Sequence, residues 1–359
     1  MRVLSVVGAR PQFVKLAPIA KAMRGRVEHI VVHTGQHYDE LMSDVFFRDL
    51  GIPDPDVNLA IGSGKHGEQT GAMLRGLEPV FEEYTPDWVL AYGDTNSTLA
   101  AAVAAVKLHL PLAHLEAGLR SFNRRMPEEH NRVLTDHAAD LCLAPTRGAL
   151  DRLGVEGLAD RSVLVGDVMT DVLYETRDLN ARTAASSPEG LGVGDYYVAT
   201  IHRPDNTDSR ERLSSIVAQL ASLDKPVLLL VHPRLAAIAQ RFDIALSAGN
   251  LRPVDPLPYP ALVGAVQSSA GVITDSGGLQ KEAFLLRVPC TTIRSETEWT
   301  ETVDLGWNVL VDQDLESLAN VVRRPVAPPT DAQPYGDGHA AERVVDALLA
   351  RATTTGEGS

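Results

Sequence analysis

Residues 88–108, WVLAYGDTNSTLAAAVAAVKL, hold one complete unit of the pattern from which this chain is built. Five aliphatic and aromatic residues lead into a short polar turn with glycine, and then into an alanine-rich stretch of helical composition. The same succession recurs on both sides. The spans 3–7, 29–34, 112–115 and 141–144 read as further strands of the first half, with helical segments at 12–23, 38–50, 68–83 and 95–108. In the second half 196–200, 227–231, 271–274, 290–293 and 308–311 read as strands. Strands alternating with helices in this rhythm imply parallel sheets covered by helices on both faces.

The expected fold is therefore α/β, with two Rossmann-like doubly wound domains facing one another across a cleft. A length of 359 residues suits two domains of ~150–200 residues each. The first is expected over 1–170 and the second over 171–336. The Ser-, Gly- and Pro-rich stretch 182–194 reads as a loop near the boundary, and 323–335 is rich in proline. The tail 352–359 is expected to fray.

Composition narrows the function. Hydrophobic residues make up 44% and charged residues 22%, which excludes wholesale disorder. The formal charge of −14 argues against nucleic acid as a partner, because an acidic surface repels phosphate backbones. The two cysteines, Cys142 and Cys290, sit in apolar runs and read as buried structural thiols; two cannot form a disulfide framework. The N-terminus lacks the marks of a signal peptide, and no apolar run reaches the ~20 residues needed to span a bilayer. The expectation is a soluble, cytoplasmic protein without a membrane partner.

In doubly wound sheets ligands bind beyond the carboxyl ends of the strands, so the polar residues that follow each strand are the candidates for chemistry. DSGG (275–278) follows a strand and opens a helix. Ser276, Gly277 and Gly278 there make a diphosphate cradle, because glycines let backbone approach an anion and a helix N-terminus offers free N–H groups. Glu282, one turn later, is placed to accept from ribose hydroxyls. In GARPQFVK (8–15), Arg10 and Lys15 can reach a phosphate. Asp94 and Glu116 each follow a strand, and MPEEHNR (126–132) brings Glu128 and Glu129 close behind. Such carboxylates are costly in an apolar half unless paired or used. Neutralisation by Arg120, Arg124, Arg125 and Arg132 is one reading, and acid–base chemistry is the other. His202 and His232 stand at strand ends of the second half, where a histidine can stabilise or protonate a leaving group. No G-x-G-x-x-G follows the first strand, no G-x-x-x-x-G-K-[ST] loop is present, and the histidines are scattered. No metal, no NAD and no other cofactor is expected.

Taken in order, GARPQFVKLAPI, HTGQHYD, GSGKHGEQTG, GDTNSTLAAAVAA, HLEAGLRSFNRRMPEEHNRVLTDH, ATIHRPDNTD and DSGGLQKEA resemble the non-hydrolysing UDP-N-acetylglucosamine 2-epimerases over roughly residues 1–350. The resemblance implies a GT-B-like fold and interconversion of UDP-GlcNAc and UDP-ManNAc. It implies a homodimer, and a final helix at about 337–351 that packs back on the first domain. It assigns Asp94, Glu116, Glu128 and His202 to catalysis, and Arg10, Lys15, His232, Ser276, Gly277, Gly278 and Glu282 to substrate binding. The family's usual GTRPE is GARPQ here. Where regulated members hold a second UDP-GlcNAc, the matching positions are Asp39 and Glu68-Gln69. HGEQTG and ETEWTETVDLGWN are also similar to relatives acting on UDP-2,3-diacetamido uronic acids. A GT-B glycosyltransferase and a non-catalytic UDP-sugar sensor are the remaining alternatives, and retention of Asp94, Glu116, Glu128 and His202 together disfavours both.

Overall fold

A computed structural model describes residues 1–36, 54–183 and 190–355. The chain forms two compact units, 1–172 with 333–359, and 173–332. Among the described residues, the first holds seven parallel strands: β1 (Arg2–Val7), β2 (Glu28–His33), β3 (Val57–Asn58), β4 (Trp88–Tyr92), β5 (Leu112–Leu115), β6 (Leu141–Ala144) and β7 (Ser162–Leu164). Their spatial order is β3-β2-β1-β4-β5-β6-β7. The chain runs outward one way from β1 and then returns to start β4 on its other side. That reversal point is where a doubly wound sheet opens a crevice beyond its strand ends. The second unit repeats the plan with β8 (Tyr197–Thr200), β9 (Val227–Leu230), β10 (Leu251–Val254), β11 (Gly271–Thr274), β12 (Cys290–Thr292) and β13 (Asn308–Leu310) in the order β10-β9-β8-β11-β12-β13.

Burial explains why these runs are strands. All five residues of β4 are buried, as are all four of β5 and β6. Alternate side chains enter opposite cores, so a strand covered on both faces must be apolar throughout. Val3, Val7, Leu90, Tyr92, Leu115 and Leu143 face one core, which the helices Arg10–Met23 and Ala340–Thr355 cover. Leu4, Val6, Val89, Ala91 and Leu112 face the other, beneath Asn96–Lys107 and His66–Tyr84. The alanines of Asn96–Lys107 leave that helix smooth, and Ala100, Ala101, Ala102, Ala104 and Ala105 are all buried.

The strand ends differ from the sequence reading by a residue or so. Three short or edge strands, β3, β7 and β10, are additional to it. The helix Val168–Thr183 carries the chain from one unit to the other between Val172 and Leu173. The stretch at 182–194 therefore lies beyond the boundary, and its residues 184–189 fall outside the described residues, as do the expected helix at 38–50 and the end of the tail, 356–359. The final helix runs to Thr355. Its start is fixed by Asp171, whose carboxylate accepts from Ala340 N (3.1 Å) and Ala341 N (2.8 Å). Cys142 and Cys290 are buried free thiols, and desolvation pushes both up to about 12. Among the described residues, no helix is long and apolar enough to cross a membrane.

Leu348 is fully buried among Leu16, Ile19 and Met23. Leu348→Ala should cost the first unit about 2–5 kcal/mol, as large-to-small core changes do. Hydrogen exchange read by mass spectrometry should speed up in Arg10–Met23 and stay unchanged in Gly277–Leu285. Equal acceleration in both would contradict this packing.

Candidate active site

In the first unit the polar residues collect on the turns after β1, β4 and β5. The turn after β1 is held by Gln12, buried at the start of its helix. Its Oε1 accepts from Gly8 N (2.8 Å) and Ala9 N (2.9 Å), and its Nε2 donates to Tyr92 O (2.7 Å) and Thr98 Oγ1 (3.1 Å). The side-chain amide thus joins the ends of β1 and β4, and its NH2 supplies the donors that Tyr92 O and Thr98 accept. Arg10 opens the helix Arg10–Met23, and its side chain lies outside the described residues.

Lys15 makes an ion pair with Glu116. Burial works against the charge on Lys15, but Glu116 and, further off, Asp94 and Asp167 more than offset it, so its pKa is raised and it stays a cation. Glu116 holds this place in a left-handed conformation, φ 76°, which costs a non-glycine residue about 1–3 kcal/mol unless its surroundings enforce it. Gly93, φ 62°, gives the pair room: a Cβ there would lie 3.3 Å from Glu116 Oε2 and 3.4 Å from Lys15 Nζ. A narrow cavity among Lys15, Leu115, Glu116, Pro145, Gly166 and Asp167 adjoins the pair.

Asp94 is ion-paired with Arg132, and its carbonyl accepts from Asn131 Nδ2 at 2.8 Å. Arg132 therefore neutralises part of the acidic group, while Arg120 serves Asp136 and Glu156 instead. Glu128 and Glu129 have different fates. Glu129 is buried and accepts from Ser121 N (2.7 Å), Ser121 Oγ (2.9 Å) and Phe122 N (3.0 Å). Burial pushes its pKa up, yet these donors and Arg132 leave it below the usual carboxylate range. It is the clasp of the loop before its helix, a role that reading the two glutamates as one cluster missed. Glu128 is exposed in the first helical turn, where the dipole favours a carboxylate. Gln69 is also engaged in structure: it donates to Gly62 O (2.7 Å) and accepts from Asn96 Nδ2 (2.8 Å), whereas Glu68 is exposed. Asp39 lies outside the described residues.

In the second unit, His202 follows β8 and Asp275 follows the neighbouring β11. Asp275 is fully buried and accepts from His202 N, Arg203 N (2.9 Å) and Asn206 Nδ2 (3.1 Å). Its Oδ1 lies 3.0 Å from His202 Nδ1. Desolvation pushes Asp275 up, but His202 and these other donors bring it below the ordinary carboxylate range. An ionised carboxylate only accepts, so it fixes the proton on Nδ1 and leaves Nε2 to a ligand. The signal for this pair was present in the sequence, since both residues directly follow strands of one sheet. In the sequence Asp275 stands out only as the first residue of the DSGG run.

Ser276 stands at the N-cap of Gly277–Leu285, and Gly278 has open space where a Cβ would be. A Cβ at Gly277 would collide with the Glu298 carboxylate. Glu282 accepts from Tyr259 OH at 3.1 Å. The His232 ring is 6.2 Å from that of His202, and its Nδ1 caps the helix Pro233–Phe242 through Arg234 N at 3.2 Å. The structure thus brings Lys15, Asp94 and Glu116 together in the first unit, and His202, His232 and the DSGG turn in the second. Among the described residues, no group of three or more His, Cys, Asp or Glu side chains could hold a metal ion.

The model of the family described as UDP-N-acetylglucosamine 2-epimerase matches residues 20–349. The chain is 46% identical to the UDP-2,3-diacetamido-2,3-dideoxy-D-glucuronate 2-epimerase of Pseudomonas aeruginosa, over 97% of this chain and 99% of the relative. It is 43% identical, with the same coverage, to a UDP-N-acetylglucosamine 2-epimerase homolog of Methanococcus maripaludis. Among solved structures it is similar to the UDP-GlcNAc 2-epimerase of Methanocaldococcus jannaschii in complex with UDP-GlcNAc and UDP. There the identity is 38% and the TM-score 0.82, covering 98% of this chain and 100% of that one. The two doubly wound units are thereby of the GT-B-like fold.

The depressed Asp275 has a consequence for stability. A carboxylate held below its unfolded value of about 3.8 contributes stability that is complete above that pH and is lost as pH falls through the folded value. Asp275→Asn should therefore destabilise the second unit at pH 7, and by less as the pH falls below about 3.8. Urea unfolding at several pH values measures the deficit, and one that grew toward acid would contradict this sign.

Proposed function

The chain belongs to the UDP-N-acetylglucosamine 2-epimerase family, and from that premise we propose that it inverts C2 of the sugar in UDP-GlcNAc, giving UDP-ManNAc. As a member of that family it is an isomerase. The observation that carries the reading is the placement of Asp94 and Glu116 on adjacent strand-end turns around the cation Lys15. The C2 hydrogen is not beside a carbonyl, so direct abstraction is difficult. Elimination offers a route without a redox cofactor: a carboxylate takes the C2 proton as the C1–O bond breaks, and the electron pair leaves with UDP. The neutral 2-acetamidoglucal then takes UDP back at C1 and a proton on the other face of C2. Two faces call for more than one acid–base group, the role of Asp94, Glu116 and Glu128. Arg10, Lys15, His202 and the amides of Ser276, Gly277 and Gly278 meet the charge that develops on departing UDP. His232 lines the same substrate, and Glu282 grips the ribose. The family resemblance carries with it a homodimer.

A second reading has an observation of its own. The 46% identity to the diacetamido-uronate 2-epimerase favours a UDP-2,3-diacetamido uronic acid as the sugar, with the same chemistry at C2.

Incubation of the protein with either nucleotide sugar in D2O, followed by proton NMR, tests both readings. The product should carry deuterium at C2, and the sugar consumed identifies the substrate. Product that keeps its C2 protium would overturn the elimination route. Glu116→Gln should lower turnover by about 10²-fold or more, the usual size of a general acid–base contribution, while still binding UDP. Glu282→Gln should weaken UDP binding first. A Glu116→Gln enzyme with near-normal turnover would remove that residue from the reaction.

A further inference from the structure

His114 and Asp136 form a fully buried pair that the roles above leave unused. Asp136 Oδ1 meets His114 Nδ1 at 2.6 Å, and Oδ2 accepts from Gly118 N at 3.0 Å and pairs with Arg120 Nη1 at 2.7 Å. Arg120 is held in turn on Glu156, at 2.9 Å through Nε and 2.7 Å through Nη2. On its other side, His114 Nε2 meets Gly93 O at 2.7 Å. Burial opposes the charge on Asp136, but His114, Arg120 and the Gly118 amide overcome it and hold the carboxyl below its ordinary range. Asp136 is then an acceptor only, as is the Gly93 carbonyl. Both ring nitrogens of His114 are thus engaged, one with the Asp136 carboxylate and one with the Gly93 carbonyl.

The partners of this pair are the backbone atoms that position the two carboxylates. Gly93 immediately precedes Asp94. Gly118, φ 82°, closes the turn that Glu116 opens at φ 76°, and a Cβ at Gly118 would collide with the Ala149 carbonyl. Strained conformations of this kind persist only where the surroundings over-determine them. We propose that Asp136 is a positioning residue which, through His114 and the Gly118 amide, fixes the Asp94 turn and the Glu116 turn in one geometry. The proposal rests on the reading that those carboxylates act at C2. The helix Pro127–Ala138 supplies Asp136 as well as Asn131 and Arg132, so one rigid element holds Asp94 directly and Glu116 from behind.

Asp136→Asn tests it. The amide keeps the shape of the carboxylate but has one acceptor oxygen, which cannot serve His114, Gly118 and Arg120 together. Turnover should fall by about 10²-fold, the penalty of an ångström-scale misplacement. KM should move by less than about threefold, because the misplaced carboxylates act in the transition state and not in holding the ground state. UDP affinity should stay at the wild-type value. Proton–nitrogen NMR of the histidine-labelled protein gives a readout independent of substrate. The wild type should show a histidine whose ring N–H, buried against the Gly93 carbonyl, exchanges slowly, and Asp136→Asn should speed that exchange. If Asp136→Asn does not fold, His114→Gln, which leaves Asp136 on Gly118 and Arg120, should show the same kcat-selective loss. A wild type without a slowly exchanging histidine ring N–H overturns the proposal, as does a folded variant with wild-type kcat or one that loses kcat and UDP affinity in proportion. A wild type that shows the signal but turns over neither nucleotide sugar overturns the proposed function instead.

Discussion

Both sheets are parallel and clothed with helices on each face, and this single constraint decides where polarity can go. Side chains along the strands have mostly apolar neighbours above and below, so a polar group there must find a buried partner, as His114 does in Asp136. The strand termini escape it. There the chain must turn, the backbone has unpaired groups to offer, and side chains can point past the edge of the core. The carboxyl ends of β1, β4 and β5 in one unit, and of β8 and β11 in the other, therefore carry Lys15, Asp94 and Glu116, and His202 and Asp275. The candidate site is a consequence of how the cores are built.

Charges at such a place need compensation, and the molecule supplies it locally. Lys15 is countered by Glu116, Asp94 by Arg132, Asp275 by three donors and an imidazole, and Asp136 by the Arg120 guanidinium, the His114 ring and an amide. A partly buried pair of this type adds little net stability, because attraction and lost hydration nearly cancel. Its value is geometric. Each partner restricts the other to one rotamer, so the groups are oriented before a ligand arrives, and the reorganisation that solvent would require is avoided.

The sequence made much of this legible, for reasons that particular elements expose. β4, β5 and β6 were readable because a strand buried on both faces leaves an uninterrupted apolar run. β10, with the sequence LRPV, was not: it lies at a sheet edge, two of its four residues are exposed, and Pro253 argues against a strand. The helix Val168–Thr183 was missed as a connector because its polar sequence lacks a strong apolar stripe. In the site, Lys15, Asp94, Glu116 and His202 could be singled out by position alone, each being a polar residue just past a strand or on the following helix. Asp136, in the body of a helix, and His114, within a strand, have no such flag. Their importance lies in which backbone atoms they reach, and reach is a property of the folded chain.

The last helix completes the core of the first unit, and that has a bearing on synthesis. When residue 172 leaves the ribosome, the face of the first sheet that carries Val3, Val7, Leu90 and Leu115 still lacks the cover given by Ala340–Thr355. About 170 more residues must be translated before that cover exists, a delay of roughly 10–30 s at ordinary elongation rates. The second unit, continuous in sequence, is finished first. The usual order of vectorial folding is thus inverted. The nascent first unit must wait with an apolar surface uncovered, the condition under which chaperones bind and premature release favours aggregation.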